Sequence, residues 1–276
     1  MTKIGNYEIK LIRNKEIEDQ LELKYQRILA EEKEKLAKEI EKIKPDTIYK
    51  EEDNIQQTIP DNLFDDIVNY DDLKRLLLNA LRKNERVAVL FVGPPATAKT
   101  MFLYSLQKLR NSMIIMAYNT TKAGLRDIFL TYNPKYLGID EIEKADTYTT
   151  YTLMSVIENG IVTKTIAGEH IEKRVDPIIF ATANSTKKLS EALLSRFMVF
   201  HLKPYTREQL FQIGMHMFEK RDIPTELKEQ IVNTILDKNI LRDPRDFLNI
   251  IKFTEAKSLE AFKHDLNDMI KYIKNI

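Results

Sequence analysis

Five short β-branched runs separated by helical stretches constrain this chain more than any other feature. They are Val87 to Val92, Met113 to Ala117, Tyr136 to Ile139, Ile178 to Thr182 and Phe197 to Leu202. Strands joined through helices pair in parallel, because a parallel neighbour needs a crossover that a tight turn cannot supply. The expected fold is therefore α/β with a parallel sheet. Between the third and fourth runs, Asn159-Gly160 introduces Ile161 to Ile166, then Ala167-Gly168, then His170 to Arg174, which reads as an inserted β-hairpin. After Pro204 no strand pattern remains. Arg207 to Arg221, Glu226 to Lys238, Pro244 to Lys257 and Leu259 to Ile273 read as the helices of a small all-helical lid.

Upstream, Ile17, Leu21, Tyr25, Ile28, Leu36, Ile40 and Ile43 recur at spacings of three, four or a multiple and stop at Pro45. That spacing predicts one long amphipathic helix, which either docks on its own domain or meets a partner. The polar, aperiodic stretch from Asp46 to Pro60 reads as a linker. The expected organisation is a helical extension over 1–45, a linker over 46–60, an α/β domain over 61–203, which carries the motifs that follow, and the helical lid over 204–276.

The chemistry begins at Gly93-Pro94-Pro95-Ala96-Thr97-Ala98-Lys99-Thr100, which follows a strand and precedes the helical stretch opened by Met101. Such a loop surrounds phosphates with backbone N–H groups, its Lys reaches the β and γ oxygens, and its Thr hydroxyl binds Mg²⁺. Ala98 stands where the pattern has a second glycine, and Ala96 adds another methyl, which costs energy wherever the loop takes positive φ. Tyr136-Leu137-Gly138-Ile139-Asp140-Glu141 ends a buried run in two acids at the strand terminus where ligands bind. Asp140 is expected to hold Mg²⁺ through its water shell, and Glu141 to polarise the attacking water as general base.

These motifs resemble those of AAA+ P-loop ATPases, nearest to the RuvB type of branch-migration motor and its archaeal relatives. The likeness runs from Phe64 to about Lys257. Phe64 to Tyr70 resembles the adenine-contacting segment, so Ile67 and Val68 are implied to touch the base, with Asn69 where glycine is usual. Thr121 to Leu125 before the strand that ends in Asp140-Glu141 and Ile142-Glu143-Lys144 after Glu141 also fit that branch. The resemblance implies that Asn184 is sensor 1 and orients the water with Glu141. It implies that Arg196, in Leu194-Ser195-Arg196-Phe197, is an arginine finger reaching a neighbouring subunit's phosphate, and that Arg245 is sensor 2 with Arg242 as fallback. The RuvB motors follow the lid with a winged-helix DNA-binding domain, whereas this sequence ends at Ile276, which puts direct duplex binding in doubt. The loop around Lys122 to Gly124 carries no aromatic residue of its own.

Composition narrows the rest. There are no cysteines, which excludes thiol catalysis and Cys-type zinc sites and suits a cytoplasmic location. No run is long enough to span a bilayer, so no membrane role is expected. Lys+Arg 43 against Asp+Glu 42 leaves a net charge of +1, so no global field advertises a nucleic-acid partner. The expectation is an ATP- and Mg²⁺-dependent ATPase working as a ring homo-oligomer, six subunits expected, that remodels or moves a macromolecule, nucleic acid first. A MoxR-like chaperone acting on a protein partner and a nucleotide-locked scaffold without turnover are the alternatives.

Overall fold

The computed structural model describes residues 58–166, 169–241, 243–255 and 257–273, and the compact unit they form begins at Thr58. The expected N-terminal helix, most of the linker, the hairpin tip at Ala167-Gly168 and Arg242 lie outside the described residues.

The strands are β1 (Ala88–Val92), β2 (Ser112–Met116), β3 (Tyr136–Asp140), β4 (Ile161–Ile166), β5 (Glu169–Arg174), β6 (Ile178–Ala183) and β7 (Met198–His201). Five of them form one sheet in the order β2-β3-β6-β1-β7, and every pairing in it is parallel. β4 and β5 form a separate antiparallel hairpin, as their turn signals predict. Strand ends fall within one residue of the expected ones.

β1, β3 and β6 are buried along their whole length, which is why they read as continuous apolar runs rather than alternating ones. Their side chains still alternate between two cores. Leu90, Val92, Leu137, Ile139, Ile179 and Ala181 face one layer, with Phe129, Leu153 and Val156. Val89, Phe91, Tyr136, Ile178 and Phe180 face the other, with Phe64, Leu81, Phe102 and Leu106. That is the period of two required of a strand buried between helical layers.

The helices are α1 (Asp71–Lys83), α2 (Lys99–Ser105), α3 (Lys122–Asp127), α4 (Thr147–Asn159), α5 (Glu191–Leu194), α6 (Arg207–Phe218), α7 (Thr225–Asp237), α8 (Asp246–Phe253) and α9 (Leu259–Ile273). From α6 onward they enclose a third core of their own, built on Phe218, Ile231, Val232, Ile235, Phe247, Phe262 and Leu266. α6 begins with a capping box, Thr206 and Gln209 satisfying each other's backbone N–H.

Three differences from the sequence reading have local causes. α2 tightens into a 3₁₀ turn over Leu106–Lys108 instead of running on to Leu109. α8 begins at Asp246 rather than Pro244, because the Asp243 carboxylate accepts the backbone N–H of Arg245 and holds the preceding residues in a turn. The end of the expected linker belongs to the core. Ile59 is buried with Leu63, Phe64 and Leu81, and the Leu63 N–H bonds to the Pro60 carbonyl.

Candidate nucleotide site

Because β3, β6 and β1 are neighbours, the loops leaving their carboxyl ends emerge side by side. This is the edge at which open parallel sheets bind ligands. It brings the 93–100 loop, the Asp140-Glu141 pair and Asn184 to one place, although they are scattered over the sequence.

The loop departs from a glycine-rich one in a way its backbone explains. Ala96 has φ 66, in the left-handed region, and its Cβ there costs roughly 1 kcal/mol. Ala98 has φ −69 and ψ 6, which any residue adopts, and its buried methyl joins the core beside Phe102. Gly93 is needed for space, since a Cβ there would collide with the carbonyl of Leu202.

Lys99 is buried, and its ammonium donates to the Pro94 carbonyl at 2.6 Å and to Thr97 Oγ1 at 3.3 Å. Thr97 in turn donates to the Pro94 carbonyl at 3.1 Å. Desolvation lowers the Lys99 pKa, while the charges of Glu143, Asp140 and Glu141 push it back up. A buried ammonium held by neutral oxygens, at the start of a helix and facing carboxylates, fits a polyanion with a divalent cation between. Thr100 is half-buried and Met101 exposed on the first turn of α2, while Pro94 and Pro95 are exposed at the mouth.

Asp140 is buried at the end of β3 and accepts the Thr182 hydroxyl proton from β6. Glu141 adopts φ 55, like Ala96 in the left-handed region, and its N–H donates to the same Thr182 oxygen at 3.0 Å. Backbone strain of this kind gathers at functional sites. The Glu141 carboxylate is paired with Lys144 at 2.7 Å, and that bond raises the Lys144 pKa.

Among the described residues Asn184 is hydrogen-bonded to Glu143 and not to Glu141. Its backbone N–H and its side-chain NH₂ both donate to Glu143 Oε1, at 2.9 and 3.1 Å. Arg196 follows α5, which Ser190 caps, and its guanidinium is paired with Glu158 of α4 and with the Ala192 carbonyl. The pair lines an open depression of about 400 Å³ with Ile157 and Ser195. The Arg245 side chain is 79% exposed and bonded to Asp243 at 3.1 Å.

The segment from Phe64 to Tyr70 lies against α2. Phe64 and Tyr70 meet Phe102 edge-on at 5.5 and 6.0 Å, Ile67 is buried and Val68 half-buried. Asn69 and Tyr70 have φ 67 and 62, in the left-handed region that an asparagine tolerates better than most residues. Tyr205, which sequence reasoning did not single out, connects this corner to the helical bundle. Its ring meets Tyr70 at 6.0 Å. Burial foremost, with Tyr70 and Asp243 nearby, pushes its phenol well above the usual tyrosine range, against a hydrogen bond with the Ala98 backbone.

The strand order, with the 93–100 loop leaving β1 and the acid pair closing β3 on the far side of β6, gives an α/β parallel-sheet core whose fold is also that of solved RuvB structures. No family model matches the sequence, and no curated protein does. Among solved structures, the fold is similar to RuvB of Thermotoga maritima. A proline-to-glycine RuvB variant superposes with a TM-score of 0.55 at 22% identity, over 79% of this chain and 68% of that one. The RuvB Holliday junction branch migration motor gives 0.52 at 23%, over 75% and 64%. An arginine-to-alanine variant gives 0.55 at 22%, over 78% and 67%. The chain thus spans about two thirds of the length of these motors, and at this identity the likeness establishes the fold. Among the described residues, no helix is long and apolar enough to cross a membrane.

Proposed function

We propose that the chain is a Mg²⁺-dependent AAA+ ATPase that hydrolyses ATP at the subunit boundaries of a ring and uses the turnover to move or remodel a macromolecule, nucleic acid first. The observation that carries this reading is the buried Lys99 ammonium, bonded to neutral oxygens beside Asp140 and Glu141. Lys99 would hold the terminal phosphates, and Thr100 and Asp140 would hold the cation, whose role when bound is to neutralise charge on the phosphate oxygens. Ile67 and Val68 would face the base. Glu141, released from Lys144, would take the proton of the attacking water, and Asn184 would orient that water. Arg196, released from Glu158, would reach the neighbour's phosphate. For Arg245, swinging the bundle toward the loop is a precondition.

A protein-remodelling role gains from one observation. Lys122 lies over the ring of Tyr148 at 5.8 Å, and Tyr148 is 67% exposed, so the fold supplies beside the 122–124 segment the aromatic residue that it lacks in sequence. The test is steady-state ATP turnover measured alone, with branched or single-stranded DNA, and with unfolded polypeptide. Stimulation by DNA supports the first reading, stimulation by polypeptide the second, and absence of turnover under all conditions leaves a nucleotide-locked scaffold.

A further inference from the structure

Glu143, in the turn that follows Glu141, is the residue that holds Asn184. One oxygen, Oε1, accepts both the backbone N–H and the side-chain NH₂ of Asn184, across 41 residues of sequence. The other, Oε2, is buried with no hydrogen-bond partner. A carboxylate can only accept, so the half of the Asn184 amide that faces it must be the NH₂. The amide oxygen is thereby turned the opposite way, and Asn184 itself is exposed at the edge of the site.

We infer that Glu143 is a positioning residue, which locks the Asn184 amide so that its Oδ1, an acceptor, is the group presented to the attacking water. This rests on the ATPase reading and adds to it. A water that donates one proton to Glu141 and one to Asn184 Oδ1 has its lone pair directed away from both, as in-line attack requires. Without the clamp the amide is free both to flip, offering a donor that competes with the water's own protons, and to move off the water, and a misplacement of about 1 Å costs on the order of 10²-fold.

A rival account of Glu143 is electrostatic, because its charge is the largest of those that raise the Lys99 pKa. Two substitutions separate reach from charge. Glu143→Gln keeps an acceptor oxygen at the same reach and removes the charge, whereas Glu143→Asp keeps the charge and shortens the reach by one methylene. Clamping predicts that the Gln variant turns over within about threefold of the parent, while the Asp variant loses about 10- to 100-fold in kcat with KM little changed. The loss caused by Glu143→Asp should also vanish in an Asn184→Ala background, where there is no amide left to orient. The reverse order, a slow Gln variant and a fast Asp variant, overturns the clamp in favour of charge.

A second readout does not depend on turnover. In the full, nucleotide-free chain, the side-chain NH₂ signal of Asn184, identified by its loss in Asn184→Ala, should exchange slowly with solvent in the parent and in Glu143→Gln, and fast in Glu143→Asp. Fast exchange in the parent removes the clamp even if the protein is an active ATPase. Slow exchange in a protein without turnover keeps the clamp and removes the ATPase reading instead.

Discussion

Thr182 on β6 donates its hydroxyl proton to Asp140 on β3, and the same oxygen accepts the backbone N–H of Glu141 at 3.0 Å. Thr182 is 1% exposed, so this one hydroxyl bonds a buried carboxylate and the backbone N–H of a strained residue together. Thr182→Val keeps the shape and removes both bonds. It should lower stability by about 1–3 kcal/mol, because the partners stay buried and unpaired. Denaturant unfolding checks this, and a change within error would show that water replaces the hydroxyl.

Removing the two ends of the phosphate chemistry should have different consequences. Lys99→Ala should abolish nucleotide binding, because it deletes the positive charge that meets the ground state. Glu141→Gln should bind normally and turn over roughly 10²- to 10⁴-fold more slowly, as expected for loss of a general base. Calorimetric binding together with single-turnover kinetics measures the two separately. Parental turnover in the Gln variant would take the assignment away from Glu141.

Arg196 is held in its own subunit by Glu158, so a role in a neighbour's site requires that pair to open. Turnover per subunit should therefore rise with protein concentration, and Arg196→Ala should bind ATP but hydrolyse it on the order of 10³-fold or more slowly. Mixing Arg196→Ala with Glu141→Gln subunits should restore part of the activity, since some boundaries then join an intact Glu141 to an intact Arg196. Two variants that stay inactive in a confirmed mixed oligomer would end the case for a shared site.

A fragment starting at Thr58 should fold and bind nucleotide, because the described unit begins there. Starting after Pro60 should not be equivalent. Ile59 is 5% exposed in the core beside Leu63 and Leu81. Losing a buried isoleucine side chain costs about 2–5 kcal/mol. Thermal melts of the two fragments make the comparison, and equal midpoints would place Ile59 outside the cooperative core.

What the sequence determined by itself was everything carried by neighbours along the chain. The β-branched runs, the turn at Asn159-Gly160, the 93–100 loop and the acid pair closing Tyr136 to Asp140 are local patterns, set by backbone preference and by burial with period two. The tertiary structure decided what those patterns leave open. It set the strand order that brings Asn184 beside β3, placed Ile59 in the core, and gave left-handed backbone to Ala96 while sparing Ala98. It also gave Asn184 to Glu143 rather than Glu141, and Arg196 to Glu158. These outcomes depend on distances of about 3 Å between groups tens of residues apart. Such distances are fixed by how helices and strands pack, and no local pattern in the chain encodes them.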